Sequence, residues 1–205
     1  IGFFSLSLTI YLFLTEQFSF TDALRLSLFN VLSVVTTTGF GLDDFLTWGD
    51  FSVAIFFGLL FVGACSGSTS GGMKLFRFQI AFSLLRRQLM MLMHPHGVFP
   101  QKYNNHKVSD DILRSLIAFV LAYMATIAIV ALLLTLMGSD ALVAITAAIT
   151  AVSNVGPGLD PSIGPSGNFA HFSDAAKWTL SIAMLMGRLE ILTVVILFTR
   201  HFWKH

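Results

Sequence analysis

The apolar runs of this chain stop too soon. Ala23 to Val35, Phe51 to Val62 and Ala141 to Val152 are each about a dozen residues long, so as helices each rises only ~20 Å. The hydrocarbon core of a bilayer is ~30 Å thick. Each run ends in a string of small or glycine-rich residues: Thr36-Thr37-Thr38-Gly39-Phe40-Gly41, Gly63-Ala64-Cys65-Ser66-Gly67-Ser68-Thr69-Ser70-Gly71-Gly72, and Ser153-Asn154-Val155-Gly156-Pro157-Gly158. Short apolar helices are ordinary in soluble proteins, but here 55% of the 205 residues are apolar and 11% charged. A soluble domain carries about a quarter charged residues. A lipid bilayer is therefore the expected solvent. Non-helical backbone at membrane depth is tolerated only where protein or a water-filled path satisfies its N–H and C=O groups. A net charge of +1 excludes a nucleic-acid-binding surface, the apolar excess excludes disorder, and the single cysteine, Cys65, excludes intrachain disulfides.

Two stretches are long enough to cross, Ile112 to Met137 and about Ser173 to Thr199, the latter carrying Arg188 and Glu190 in its interior. Ile1 to Leu14 reads as a spanning helix cut at its beginning, and the chain as the C-terminal part of something longer. The halves repeat: Asp22-Ala23-Leu24 matches Asp140-Ala141-Leu142, and Gly39-Phe40-Gly41-Leu42-Asp43 matches Gly156-Pro157-Gly158-Leu159-Asp160. The separations are 118 and 117 residues, so a one-residue gap reconciles them. The expected fold is an all-α polytopic membrane protein of two tandem helix–pore loop–helix repeats. Residues 1–92 form the first repeat, with its second helix broken at 63–72; 93–111 form a connection, and 112–205 the second repeat.

Charge sets the expected orientation. Lys74, Arg77, Arg86, Arg87, Lys102, Lys107 and Arg114 lie in or beside the middle connection, and Arg200 and Lys204 near the C-terminus. By the positive-inside rule these ends are cytoplasmic. Glu16, Asp22, Asp43, Asp44, Asp50, Asp140, Asp160 and Asp174 then face outside, and each short helix enters and leaves by the outer face.

A glycine turn after such a helix suits an ion filter: glycine lets successive carbonyls point one way and replace a hydration shell, and the helix aims its negative end at the ion. Thr37-Thr38-Gly39-Phe40-Gly41 differs from the Thr-Val-Gly-Tyr-Gly filter of potassium channels at two positions. Asn154-Val155-Gly156-Pro157-Gly158 keeps both glycines. Other readings stay open. Ala64-Cys65-Ser66-Gly67 approaches the Gly-x-Ser-Gly of intramembrane serine hydrolases, but no histidine lies in an expected span to serve as base. Gly67 to Lys74 lacks the Ser or Thr after lysine that a phosphate loop needs. A non-conducting binding or structural membrane subunit would share the composition and carry no flux.

With these motifs in their order, the sequence resembles the C-terminal half of the TrkH family in the Trk/Ktr/HKT potassium-transporter superfamily. The resemblance rests on Thr37 to Gly41, Gly63 to Lys74, Ser153 to Leu159 and Gly187-Arg188-Leu189-Glu190. It implies the third and fourth of four repeats around one pore, with the filter at Thr37, Thr38, Gly39, Phe40 and Gly41 together with Asn154, Val155, Gly156, Pro157 and Gly158. K⁺ would be held at Thr37, Thr38, Asn154 and Val155. It implies a gate of Gly63, Ser66, Gly67, Ser68, Gly71, Gly72 and Lys74 beneath the filter, a segment whose plainer reading is a flexible hinge. Arg188, about 15 residues into the last expected helix, is too deep to sit unpaired in lipid; it either pairs with another segment in helix packing or faces the pore as an electrostatic barrier. The resemblance further implies a homodimer of the full-length protein in the bacterial inner membrane, seated on a cytoplasmic nucleotide-binding TrkA-type regulatory ring. No cofactor and no enzymatic chemistry follow from it; potassium is cargo.

Overall fold

The structure, a computed structural model, describes residues 1–15, 18–64, 71–94, 102–103, 106–107, 110–189, 191–197 and 203. In chain order they form α1 (Gly2–Leu14), α2 (Phe20–Val35), a 3-10 turn (Phe45–Trp48), α3 (Asp50–Leu59), β1 (Val62–Gly63), β2 (Met73–Lys74) and α4 (Leu75–Met93). A two-residue hairpin, β3 (Lys102–Tyr103) with β4 (His106–Lys107), precedes α5 (Asp110–Leu136), α6 (Ala141–Ser153), α7 (Asp174–Arg188) and α8 (Ile191–Leu197). Among the described residues one helix, Ile112–Leu136 within α5, is long and apolar enough to cross a membrane alone.

Local chemistry sets several helix starts. Ser19 caps α2 by accepting the Asp22 N–H at 3.3 Å, and its hydroxyl donates to Asp22 Oδ2 at 2.8 Å. Ser173 accepts the Ala176 N–H at 3.3 Å at the start of α7, with Asp174 in the first turn against the positive helix end. The two short helices pack among the longer ones, α6 more deeply than α2, which leaves Leu24, Leu28, Phe29 and Leu32 exposed on one face. Every residue of α6 from Thr146 to Ser153 is buried, most of them small, which lets α5 and α7 approach its backbone from either side. α2 is similarly held against α1 and α3. Leu8, Leu12, Val31, Trp48, Phe56, Tyr123, Ala147, Val152, Ala176 and Ile191 belong to one continuous core across both halves. The Arg77 guanidinium lies 3.8 Å above the centroid of the Phe119 ring and ties α4 to α5.

Two expectations change. The last apolar stretch is not one helix: α7 ends at Arg188, Leu189 caps it, and α8 begins at Ile191. Arg188 is therefore the last residue of a helix rather than a residue deep inside one. The second helix of the first repeat is interrupted too, between α3 and α4, where β1 and β2 pair in parallel with Val62 opposite Met73 and Gly63 opposite Lys74. Sequence gave little notice of the second break, because Gly187 is the one weak helix former next to it. The other change concerns register. Asp140 precedes the first residue of α6, whereas Asp22 lies in the first turn of α2. Both helices are unbroken, and an α-helix cannot absorb a one-residue gap without losing hydrogen bonds. The Asp-Ala-Leu match is therefore offset by one residue, and the 117-residue spacing of the turns is the structural repeat.

Candidate functional site

The ends of α2 and α6 are the same structure built twice. Thr37 N–H donates to Val34 C=O at 3.1 Å and Thr38 N–H to Ser33 C=O at 2.9 Å; Asn154 N–H donates to Ala151 C=O at 3.1 Å and Val155 N–H to Thr150 C=O at 3.0 Å. Each pair closes the last helical turn by the crossed bonds of a Schellman motif. Thr37 and Asn154 both have φ of 56°, and glycines follow at Gly39 (φ 79°) and Gly156 (φ 118°). Asparagine enters the left-handed region readily, but a β-branched threonine does so at a cost of about 1–3 kcal/mol. Strain of that size persists only where surrounding contacts enforce it.

The two turns face each other. A Cβ added to Gly39 would fall on the carbonyl oxygen of Val155, and one on Gly156 would lie 3.5 Å from Gly39 Cα. The negative ends of two helix dipoles thus lead into one small region of glycine backbone. Gly156, Thr38 and Phe40 are exposed, Phe40 to 71%, while Val155, Pro157 and Gly158 are buried and Gly41 lies against the Pro165 ring. The sequence-expected filter residues therefore fall on two adjoining backbone segments.

The broken helices press on these turns from behind. Gly71 is buried against the Ser153 carbonyl, with a Cβ position 2.8 Å from Asn154 Cβ, and its N–H reaches Thr37 Oγ1 at 3.4 Å. One residue thus touches both turns. Gly63 packs onto the Gly71 carbonyl, and Gly72 takes φ of 71° to turn into β2. Gly187 of α7 sits on the Val152 carbonyl, and Asn154 Nδ2 donates to Met184 C=O at 3.0 Å. Lys74 is half-buried and Arg188 exposed. Ser66, Gly67, Ser68 and Glu190 lie outside the described residues.

Carboxylates anchor the loops that leave the turns. Asp43 Oδ2 accepts the indole N–H of buried Trp48 at 2.9 Å, and Asp44 Oδ1 accepts the Leu46 N–H at 3.0 Å. Asp160 Oδ1 accepts both the hydroxyl and the N–H of Ser162, at 2.6 and 2.9 Å, which holds this carboxyl below its usual range. Three further polar residues were not singled out from sequence. Asn30 Oδ1 accepts the Leu42 N–H at 3.3 Å, Tyr123 and Ser153 share a buried 2.6 Å hydrogen bond, and Thr150 Oγ1 accepts the Gly156 N–H at 2.9 Å.

Two short helices ending at apposed glycine turns, each backed by an interrupted helix, define a membrane protein of the pore-loop class. Comparison with known proteins narrows the class. The family model described as TrkH, cation transport protein, matches residues 14–204, and the chain belongs to that family. It is 54% identical over 199 residues to the Trk system potassium uptake protein TrkI of Halomonas elongata, covering 97% of this chain and 40% of that protein. It is 35% identical over 176 residues to TrkH of Escherichia coli K12, covering 86% of this chain and 36% of that protein. The crystal structure of the potassium transporter TrkH from Vibrio parahaemolyticus superposes with a TM-score of 0.91 at 33% identity, covering 99% of this chain and 43% of that one. The chain thus spans about 40% of the length of these curated relatives. The family is one of transport proteins, not enzymes.

Proposed function

We propose that the two apposed turns are part of a potassium filter and that the protein they belong to takes up potassium across the bacterial inner membrane. The observation that supports this best is the contact of Gly39 with Val155 and Gly156 at the C-terminal ends of α2 and α6. Ions would shed water onto backbone oxygens of Thr37, Thr38, Asn154 and Val155 and gain from both helix dipoles. Asp43, Asp44, Asp140 and Asp160 would gather cations at the outer mouth, and the basic middle connection and the C-terminus would lie in the cytoplasm. A closed filter of this kind needs four such turns, so two come from outside this chain. The relatives' role in potassium uptake supports the choice of ion. Expressed as the complete transporter in a host lacking its own potassium uptake, the protein is expected to restore growth at low potassium and rubidium uptake. A correctly inserted protein without cation flux would overturn this reading and favour the non-conducting subunit.

The gate in this proposal is the segment from Gly63 to Gly72, whose Gly71 end packs beneath both turns. Arg188, at the end of α7 just past the Gly187 contact, would present its charge to ions leaving the filter and slow them. Arg188→Ala is then expected to raise rubidium uptake about threefold or more per inserted transporter, the factor that ~0.7 kcal/mol off a barrier gives. Unchanged or lower uptake in a well-folded variant would assign Arg188 to helix packing. A homodimer and a TrkA-type nucleotide-binding ring complete the proposal, with the basic connection as the surface such a ring would meet.

A further inference from the structure

The two turns match in their backbone hydrogen bonds but not in what holds the glycine amide. In the second turn, Gly156 N–H donates to the Thr150 hydroxyl at 2.9 Å, and Thr150 is buried at 2% exposure. The residue 117 positions earlier is Ser33, also a buried hydroxyl on the corresponding helical turn. Among the described residues its Oγ has no hydrogen-bond partner, and Gly39 N–H instead reaches the Ser33 carbonyl at 3.4 Å, an oxygen that already accepts Thr38 N–H at 2.9 Å. One glycine amide is therefore held by a dedicated side chain, and the other shares an occupied carbonyl at long range.

This difference matters because of peptide geometry. The Gly156 N–H and the Val155 C=O belong to one planar trans unit and point in opposite directions. Fixing the N–H toward the pore helix fixes the carbonyl away from it. That carbonyl is the oxygen that faces Gly39 across the gap between the turns. We infer that Thr150 is a positioning residue for the filter: by accepting the Gly156 N–H, its hydroxyl aims the Val155 carbonyl into the ion path and sets how firmly it is held there. Among the described residues the Thr38–Gly39 peptide has no such side-chain anchor, so the first turn is the more compliant of the two. Discrimination between cations depends on the number and stiffness of the coordinating carbonyls, and Thr150 contributes stiffness on one side.

The inference rests on the proposed filter, and the test separates the two. The quantity measured is the ratio of rubidium to sodium uptake by the complete transporter, which does not depend on how much protein is inserted. Thr150→Val keeps the shape and removes the acceptor, and the ratio is expected to fall about fivefold, what one hydrogen bond of ordinary net worth amounts to. Thr150→Ser keeps the hydroxyl and is expected to restore most of the ratio. Ser33→Ala removes a hydroxyl with no partner and is expected to shift the ratio less than Thr150→Val does. Thr150→Ala serves the same comparison if the valine variant is not inserted. An unchanged ratio in Thr150→Val, no rescue by serine, or an equal shift in Ser33→Ala overturns the inference. Gly156→Ser distinguishes the failures: if it alters the ratio while Thr150→Val does not, the filter stands and the positioning role falls. If Gly156→Ser also leaves the ratio unchanged, the filter assignment itself falls.

Discussion

Gly39→Ser is expected to reduce potassium uptake by about a hundredfold, with Gly156→Ser reducing it by about tenfold or less, each measured as rubidium uptake per inserted transporter; these factors correspond to barrier changes of ~2.7 and ~1.4 kcal/mol. Both glycines have positive φ, 79° and 118°, so any side chain costs backbone strain of about 1–3 kcal/mol at either position. The space around them differs. A Cβ on Gly39 is directed into the backbone carbonyl of Val155, which has no rotamer by which to withdraw, whereas a Cβ on Gly156 finds Gly39 Cα at 3.5 Å and its oxygen at 3.9 Å, ordinary contact distances. Serine at 39 must therefore push the two turns apart, and serine at 156 need only be strained. Separating the turns moves carbonyl oxygens on both sides of the proposed ion path at once, which is why the larger loss falls on the first turn. The opposite ranking would show that the gap between the turns is not what governs conduction.

Much of this arrangement is legible in sequence because lipid leaves the chain few choices. An apolar run of a dozen residues that ends in glycine cannot span alone, and Val35 and Val152 mark the ends of two short helices to within a residue. The paired Gly-x-Gly-Leu-Asp strings fixed which backbone would be equivalent. The matching φ of 56° at Thr37 and Asn154 bears that equivalence out to the residue. What sequence did not disclose was mostly set by contacts between distant segments. Gly187-Arg188-Leu189 gives little sign of a helix end, and the contact that sets Gly187 against the Val152 carbonyl of α6 joins residues 35 apart in sequence. The Asp-Ala-Leu match misled by one residue because composition repeats more loosely than hydrogen bonding does. Thr150 was within reach: stepping back 117 residues from it meets another buried hydroxyl at Ser33, a coincidence visible only once the turns, and not the helix starts, define the repeat. Its role could not be read so early, because the difference between the two positions lies in which atom the glycine amide finds.

Gly187→Ala is expected to lower the thermal unfolding midpoint of the detergent-solubilised protein, and Gly187→Val to lower it further, although alanine is the better helix former. Replacing a helical glycine by alanine ordinarily gains ~1 kcal/mol. Here the added Cβ would enter the Val152 carbonyl group, with the carbonyl carbon at 2.7 Å and Asn154 Nδ2 at 3.1 Å. These are backbone atoms of the end of α6, or the side chain that locks that end to α7, and neither can turn away. The helices must separate, at an overpacking cost of about 1–3 kcal/mol. Separation also stretches the 3.0 Å bond from Asn154 Nδ2 to the Met184 carbonyl, worth ~1 kcal/mol when lost. The two costs together exceed the propensity gain, so the net effect of alanine is a loss of about 1–3 kcal/mol, and the branched valine adds a further clash while forgoing part of that gain. A midpoint unchanged or raised by alanine would mean that α7 can slide along α6 at little cost. In that case the contact at Gly187 would not be what holds the second turn in place.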